Sequence, residues 1–199
     1  MIPTAYICFV SFDTLSLITG GLIQNILGLA SGFGTIGMFI FGAFLGVGLV
    51  CIFPIHWALI NHPDNILLLL ALVLPWIITC SIASALFAHS PRGAIHTSLA
   101  VGIGYFIVML IPYIIFSFLL SQAGLPGGTI IDSITIGLTG MPWVLSTLTA
   151  TMEGAGVGAV FGAFVGSLKY KPEGKEKKKK KSKKSKNELE SMVEPILDQ

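Results

Sequence analysis

Three carboxylates lie in strongly apolar sequence, and they are the side chains whose type and setting best suit chemistry. They belong to Asp13, Asp132 and Glu153. An ionisable side chain within a membrane helix is energetically costly, and such residues usually line an ion pathway or pair with a partner group. Asp13 and Asp132 also occupy matching positions in a sequence repeat. These three acids are therefore candidates for a path that binds a cation or relays a proton.

The same acids allow a structural interpretation. Asp132 would lie at a membrane edge, Glu153 would cap a helix that begins near Gly154, and Asp13 would mark the start of a shorter first helix. The depth of the acids in the membrane separates the two interpretations. Carboxylates that converge in a membrane cavity favour transport, and carboxylates at the two edges favour a scaffold.

Other motifs in the chain give no support for catalysis. Residues 32–37 match the dinucleotide-binding pattern G-x-G-x-x-G, but that pattern requires a preceding strand and here it opens an apolar helix. The pairs His56 with His62 and His89 with His96 lack a third donor at a zinc-like spacing. We therefore predict that the protein is not an enzyme, with no catalytic residue, no cofactor site and no metal site.

Composition places most of the chain in a membrane. Hydrophobic residues make up 53% of the 199 residues and charged residues only 11%, whereas soluble domains have about 25% charged residues. Eleven of the twelve basic residues lie at or after Lys169. We predict an all-α integral membrane domain over residues 1–168 and a disordered, Lys-rich cytoplasmic tail over residues 169–199.

The apolar stretches predict six transmembrane helices, with five as the alternative. In the five-helix alternative, residues 129–140 stay outside the membrane and one long last helix begins at Pro142. Six helices put the loop containing Arg92 on the side opposite the tail, whereas five put both in the cytoplasm, as the positive-inside rule prefers. We predict six, over residues 3–29, 35–59, 66–87, 97–120, 129–150 and 154–170.

An internal repeat favours the six-helix arrangement. Residues 13–46 resemble residues 132–166, and both copies contain the sequence Phe-Gly-Ala-Phe, at 41–44 and 161–164. Gly-, Ala- and Phe-rich sequences also match by chance. A true duplication would make residues 129–150 equivalent to the first span, in a pattern of repeats that many transporters use.

Glycines at four-residue intervals predict two helix-packing faces. On a helix this spacing leaves one nearly bare stripe, which lets a second helix approach closely in lipid. The stripe can serve packing within the chain, a homo-oligomer or another membrane protein. The glycines are Gly34, Gly42 and Gly46 in the first copy, and Gly154, Gly158, Gly162 and Gly166 in the second.

The basic tail predicts contact with anionic lipid headgroups. Lysines next to a membrane helix are attracted to an anionic surface by about 1 kcal/mol each. The run lacks arginine and interleaved aromatic residues, so we predict no nucleic-acid binding. The lysines nearest the membrane are Lys169, Lys171, Lys175, Lys177, Lys178 and Lys179.

Together these features predict a small multi-pass membrane protein. The leading interpretation is a non-enzymatic scaffold or subunit that packs through its glycine faces. The alternative is a small proton- or cation-coupled transporter or channel-like protein that uses the intramembrane acids.

Overall fold

The computed structural model describes residues 45–169 together with Gly32 and Gly34. Over residues 45–169 the regular structure is entirely helical, which confirms the predicted all-α class. Residues 45–52 form the end of one helical segment. The helices that follow are α1 (Ile55–Asn61), α2 (Ile66–Phe87), α3 (Pro91–Gln122), α4 (Gly127–Thr139) and α5 (Trp143–Lys169).

Three of these helices are long and apolar enough to cross a membrane. They are α2, α3 and α5, with mean hydropathies of 2.6, 2.4 and 1.4 over their most apolar windows. At 1.5 Å per residue they are about 33, 48 and 40 Å long, compared with about 30 Å of hydrocarbon in a bilayer. The predicted membrane character is thus confirmed. Six spans are not: the first predicted span and residues 35–44 of the second lie outside the described residues.

Helices α2 and α3 begin at clear capping residues. The Asn65 side chain accepts a hydrogen bond from the Leu68 N–H at 3.0 Å and starts α2. Ser90 Oγ accepts from the Gly93 N–H at 3.1 Å, and proline at the first helical position completes the start of α3. Because of this cap, α3 begins at Pro91 rather than at the predicted Thr97.

The region after residue 127 is divided as in the five-helix alternative. Helix α4 has 13 residues and is about 20 Å long, which is too short to cross the hydrocarbon. It ends at Gly140, whose φ of 79° lies in the left-handed region that favours glycine. Helix α5 then starts at Trp143, so Glu153 lies within α5 and does not cap it. The interpretation of Glu153 as a cap is therefore wrong.

Helix α5 packs against α2, and the two helices run parallel. The close contacts advance by four residues in both helices, so a glycine of α5 meets a larger residue of α2 at each turn. Such spacing keeps both rows on facing stripes. The pairs are Gly154 with Trp76, Gly158 with Cys80, and Gly162 with Ser84.

Helix α5 also packs against α3, and these two helices are antiparallel. Gly102 of α3 lies against Thr151 and Ala155, whereas Ala94, two turns earlier in α3, lies against Gly166. The buried side of α5 is built largely from glycine, alanine, serine and threonine. Small residues on this side let α5 lie between two other helices at close range.

Candidate functional site

The second predicted span contains a break in its helix. The helical segment 45–52 ends just before Phe53, and α1 begins at Ile55. Between them Pro54 adopts an extended conformation, with φ −64° and ψ 146°. Proline has no N–H and its ring clashes with the preceding turn, so it interrupts the hydrogen-bond ladder. The break leaves the Ile52 carbonyl and the His56 N–H, which would pair in a continuous helix, in need of other partners.

Two side chains of α5 supply those partners. Ser146 Oγ donates to the Ile52 carbonyl at 2.6 Å, and the His56 N–H donates to Glu153 Oε2 at 3.1 Å. Ser146 and Glu153 are seven residues apart, so they lie on the same side of α5, about 10 Å apart along its axis. An unsatisfied backbone group in lipid costs several kcal/mol. Helix α5 therefore stabilises the broken conformation from both sides of the break.

Glu153 binds the ring of His56 as well as its backbone. The distance from Glu153 Oε1 to His56 Nδ1 is 2.5 Å. The two side chains are 29% and 44% exposed, so the pair is partly covered and still accessible. Glu153 lies ten residues after Trp143, which is about 15 Å along the helix axis.

Asp132 has a separate role at the start of α5. Its Oδ1 accepts a hydrogen bond from the Trp143 N–H at 3.0 Å, so it satisfies one of the free N–H groups of the first turn. Its negative charge also suits the positive end of the helix dipole. The Trp143 ring is stacked on Tyr113, with ring centres 4.7 Å apart. Asp132 thus fixes the junction between α4 and α5.

The structure does not bring Asp132 and Glu153 onto a common partner. Asp132 bonds the first residue of α5, whereas Glu153 bonds α1 from the middle of α5. Asp13, the third acid of the predicted path, lies outside the described residues. Within residues 45–169 no group of three His, Cys, Asp or Glu side chains is placed to hold a metal ion.

The glycines on the buried side of α5 lie where a side chain has no room. A Cβ added at Gly158 would lie 2.7 Å from the Cys80 Cβ, and one at Gly162 would lie 2.5 Å from Ser84 Oγ. Real Cβ atoms essentially never approach other atoms within 3.0 Å. At these positions the absence of a side chain lets α2 and α5 approach this closely.

Gly166 makes a different contact, at the C-terminal end of α5. A Cβ added there would lie 2.9 Å from the Ser90 carbonyl oxygen and 3.0 Å from the Ala94 Cβ. The end of α5 therefore lies beside the turn between α2 and α3, and Arg92 follows that turn in the first turn of α3.

The other predicted positions are only partly described. Gly46 is buried in the segment 45–52, whereas Gly34 is exposed, with φ 70° and no atom within 4 Å of an added Cβ. Gly42 and the first copy of the repeat, except for these fragments, lie outside the described residues. Lys169 is exposed and ends α5. Lys171, Lys175, Lys177, Lys178 and Lys179 lie outside the described residues.

Sequence reasoning missed the partners of α5. The sequence indicates His56 as a metal ligand or an interfacial side chain, but not as the partner of an acid, although Pro54 two residues before it marks an interruption of the span. The spacing of Trp76, Cys80 and Ser84 repeats the four-residue glycine spacing, and this match was a signal that α2 faces α5.

Comparisons with known proteins indicate no function for this chain. No protein-family model, curated protein or solved structure matches this chain. The functional proposal below therefore rests on the break between residues 52 and 56 and on its two partners in α5.

Proposed function

We propose that this protein is a non-enzymatic multi-pass membrane scaffold or subunit organised around α5. The observation that supports it is that both described acids of the predicted path act as partners for backbone groups. Asp132 bonds the N–H of Trp143, and Glu153 bonds the N–H of His56. A carboxylate used in this way stabilises helix ends, and a face of small residues brings helices together.

We further propose five spans, with the C-terminal end of α5 in the cytoplasm. Gly166 lies against Ser90, so this end of α5 and the turn before Arg92 belong to the same end of the helical unit. The positive-inside rule then favours a cytoplasmic location for Arg92 and for the lysines that follow in the sequence. Helix α4 would lie in the opposite interface, with Trp143 near the headgroups.

Two kinds of partner follow from this arrangement. The lysines after Leu168 suit anionic lipid headgroups in the cytoplasmic leaflet. Helix α3 has many exposed apolar side chains, among them Ile107, Ile111 and Ile115. These side chains suit lipid, a second copy of the chain or another membrane protein.

A small proton- or cation-coupled transporter is the second candidate. The observation that favours it is the Glu153–His56 pair beside a broken helix, about halfway across the hydrocarbon if Trp143 lies at the interface. Ionisable residues at this depth often mark ion pathways, and broken helices often line transport sites.

Flux measurements on purified protein in vesicles separate the two candidates. For a scaffold we expect no proton or cation flux above that of empty vesicles, while Glu153→Gln lowers the melting temperature of the protein. Flux in the wild type that Glu153→Gln abolishes in a folded protein would replace the scaffold by the transporter. Met152→Leu, at the neighbouring exposed position of α5, is the control for both measurements.

A further inference from the structure

Helix α5 has a second row of small residues, on the side opposite the glycines that pack against α2. Its members follow one another at alternating intervals of four and three residues, which keeps them on one side of a helix. All except Glu153 and Val160 are glycine, alanine, serine or threonine. The row consists of Thr149, Glu153, Gly156, Val160, Ala163 and Ser167, and we call it the outer face of α5.

The outer face is accessible to another helix. Val160 is 70% exposed, and nothing lies within 4 Å of a Cβ added at Gly156. The hydroxyls of Thr149 and Ser167 donate to carbonyls of α5 itself, so they need no acceptor elsewhere. In lipid, a row of small residues lets a second helix approach closely.

The Glu153–His56 pair lies on this face, far from both ends of α5. Glu153 is ten residues after Trp143 and sixteen before Lys169, so it is about 15 Å and 24 Å from the two ends of the helix. The Glu153 and His56 side chains are 29% and 44% exposed. Glu153 Oε1 bonds His56 Nδ1, whereas nothing within residues 45–169 bonds His56 Nε2. In a membrane-spanning helix, this ring nitrogen is exposed at a depth where water is scarce.

The charge of the pair makes His56 Nε2 a hydrogen-bond donor. A carboxylate beside a neutral ring would leave a net negative charge deep in the membrane, which is costly. With one further proton the pair is neutral, and that proton lies on either Glu153 Oε1 or His56 Nδ1. In both arrangements Nε2 has a proton of its own. An N–H group without an acceptor is costly in hydrocarbon.

The surface around the pair is complementary to itself. It has a free donor at His56 Nε2, and the Glu153 carboxylate has lone pairs beyond the two that its present bonds use. Donor and acceptor lie side by side, so they are at the same depth in every copy of the chain. A two-fold axis along the membrane normal places the donor of each copy against the acceptor of the other. A partner with a single acid or amide would satisfy only half of this surface.

We propose that the protein forms a homodimer in the membrane through the outer face of α5. Gly156 and Val160 of the two copies pack against each other, and His56 Nε2 of each copy donates to Glu153 of the other. The proposal goes beyond the scaffold function, and it rests on the proposed crossing of the membrane by α5. It also gives the exposed pair a structural role that requires no ion flux.

Disulfide cross-linking in native membranes tests which surface is shared. In a background in which Cys8, Cys51 and Cys80 are replaced, Val160→Cys should form dimers when copper phenanthroline is added as the oxidant. Ile111→Cys is the matched control, because Ile111 is 53% exposed on α3 and lies outside the proposed interface. It should remain monomeric.

Sedimentation equilibrium of the purified full-length protein in density-matched detergent measures the strength of association. His56→Phe removes Nε2 but retains the backbone N–H that bonds Glu153. Two hydrogen bonds are lost per dimer, so dissociation should become easier by about tenfold to a hundredfold. Val160→Trp has room in a single copy, since Val160 is exposed, but should separate two copies. Ile111→Trp is its control and should associate like the wild type.

A folded wild type that stays monomeric in detergent and does not cross-link through Val160→Cys would overturn the proposal. Lipid, residues of the same chain or a different protein would then cover the pair. Cross-linking through Ile111→Cys instead of Val160→Cys would overturn it too, as would wild-type association of both His56→Phe and Val160→Trp. These outcomes are independent of the flux measurements, because a monomer without flux would still fit the scaffold.

Discussion

One carboxylate, that of Glu153, binds both the backbone and the side chain of His56. Its Oε2 accepts the His56 N–H at 3.1 Å, and its Oε1 lies 2.5 Å from the ring Nδ1. The two residues are 97 positions apart in the chain. This pair joins the start of α1 to the middle of α5.

Removing the Glu153 carboxylate should destabilise the protein. Glu153→Leu leaves the His56 N–H without an acceptor in a partly buried position, which costs about 1–3 kcal/mol. Glu153→Gln keeps one acceptor oxygen and should cost less. Thermal unfolding in detergent measures both variants against Met152→Leu. Equal melting temperatures for Glu153→Leu and the control would show that the pair contributes nothing to stability.

A larger residue at Gly162 should be far more damaging than one at Gly156. At Gly162 an added Cβ meets Ser84 Oγ at 2.5 Å, whereas nothing lies within 4 Å of one at Gly156. Gly162→Leu must push α2 away from α5, and overpacking costs about 1–3 kcal/mol or more. Melting temperatures of the two leucine variants provide the comparison. Similar values would mean that the glycine face is not a close packing surface.

Substitutions of two neighbouring glycines should have opposite effects. Gly140 has a φ of 79°, where alanine is strained, so Gly140→Ala should destabilise the protein by roughly 1–2 kcal/mol. Gly137 lies within α4, with nothing near an added Cβ, so Gly137→Ala should stabilise by roughly 0.5–1 kcal/mol. Denaturation of the two variants, side by side, tests the sign. If Gly140→Ala stabilised the protein, residue 140 would not have the left-handed conformation that ends α4 here.

The topology can be tested by cysteine labelling in intact cells or sealed vesicles. In a background in which Cys8, Cys51 and Cys80 are replaced, Ser90→Cys should react with an impermeant reagent only after the membrane is opened. Ala123→Cys, in the turn at the other end of α3, should react from outside without that treatment. Reaction of Ser90→Cys from outside would restore the six-helix arrangement.

The sequence predicted α2 well because its ends have strong local signals. Asn65 caps its start, and polar residues follow its last turn, so the predicted and observed limits are both 66–87. The start of α3 was missed because hydropathy gave more weight to the apolar run after His96 than to the Ser-Pro start at residue 90. For the start of α3, the capping residue Ser90 is a better predictor than hydropathy.

The division between α4 and α5 follows the five-helix alternative and not the six-helix prediction that we favoured, for a different reason. The repeat favoured a crossing over residues 129–150, whereas Gly140 and Pro142 provide the turn that ends α4 and starts α5. The partners of Glu153 and Ser146 could not be predicted at all. Both lie more than 90 positions away in the chain, and a single sequence contains no signal that links such distant residues.

The order of synthesis gives the helix break a further consequence. Ile52 and His56 leave the ribosome long before Ser146 and Glu153, the side chains that bond them. At about 5–20 residues per second, the 97 positions between His56 and Glu153 take roughly 5–20 seconds to translate. During that interval the two backbone groups need water, lipid headgroups or the insertion machinery as temporary partners. The helix break can therefore reach its final hydrogen bonding only after the last helix has been made.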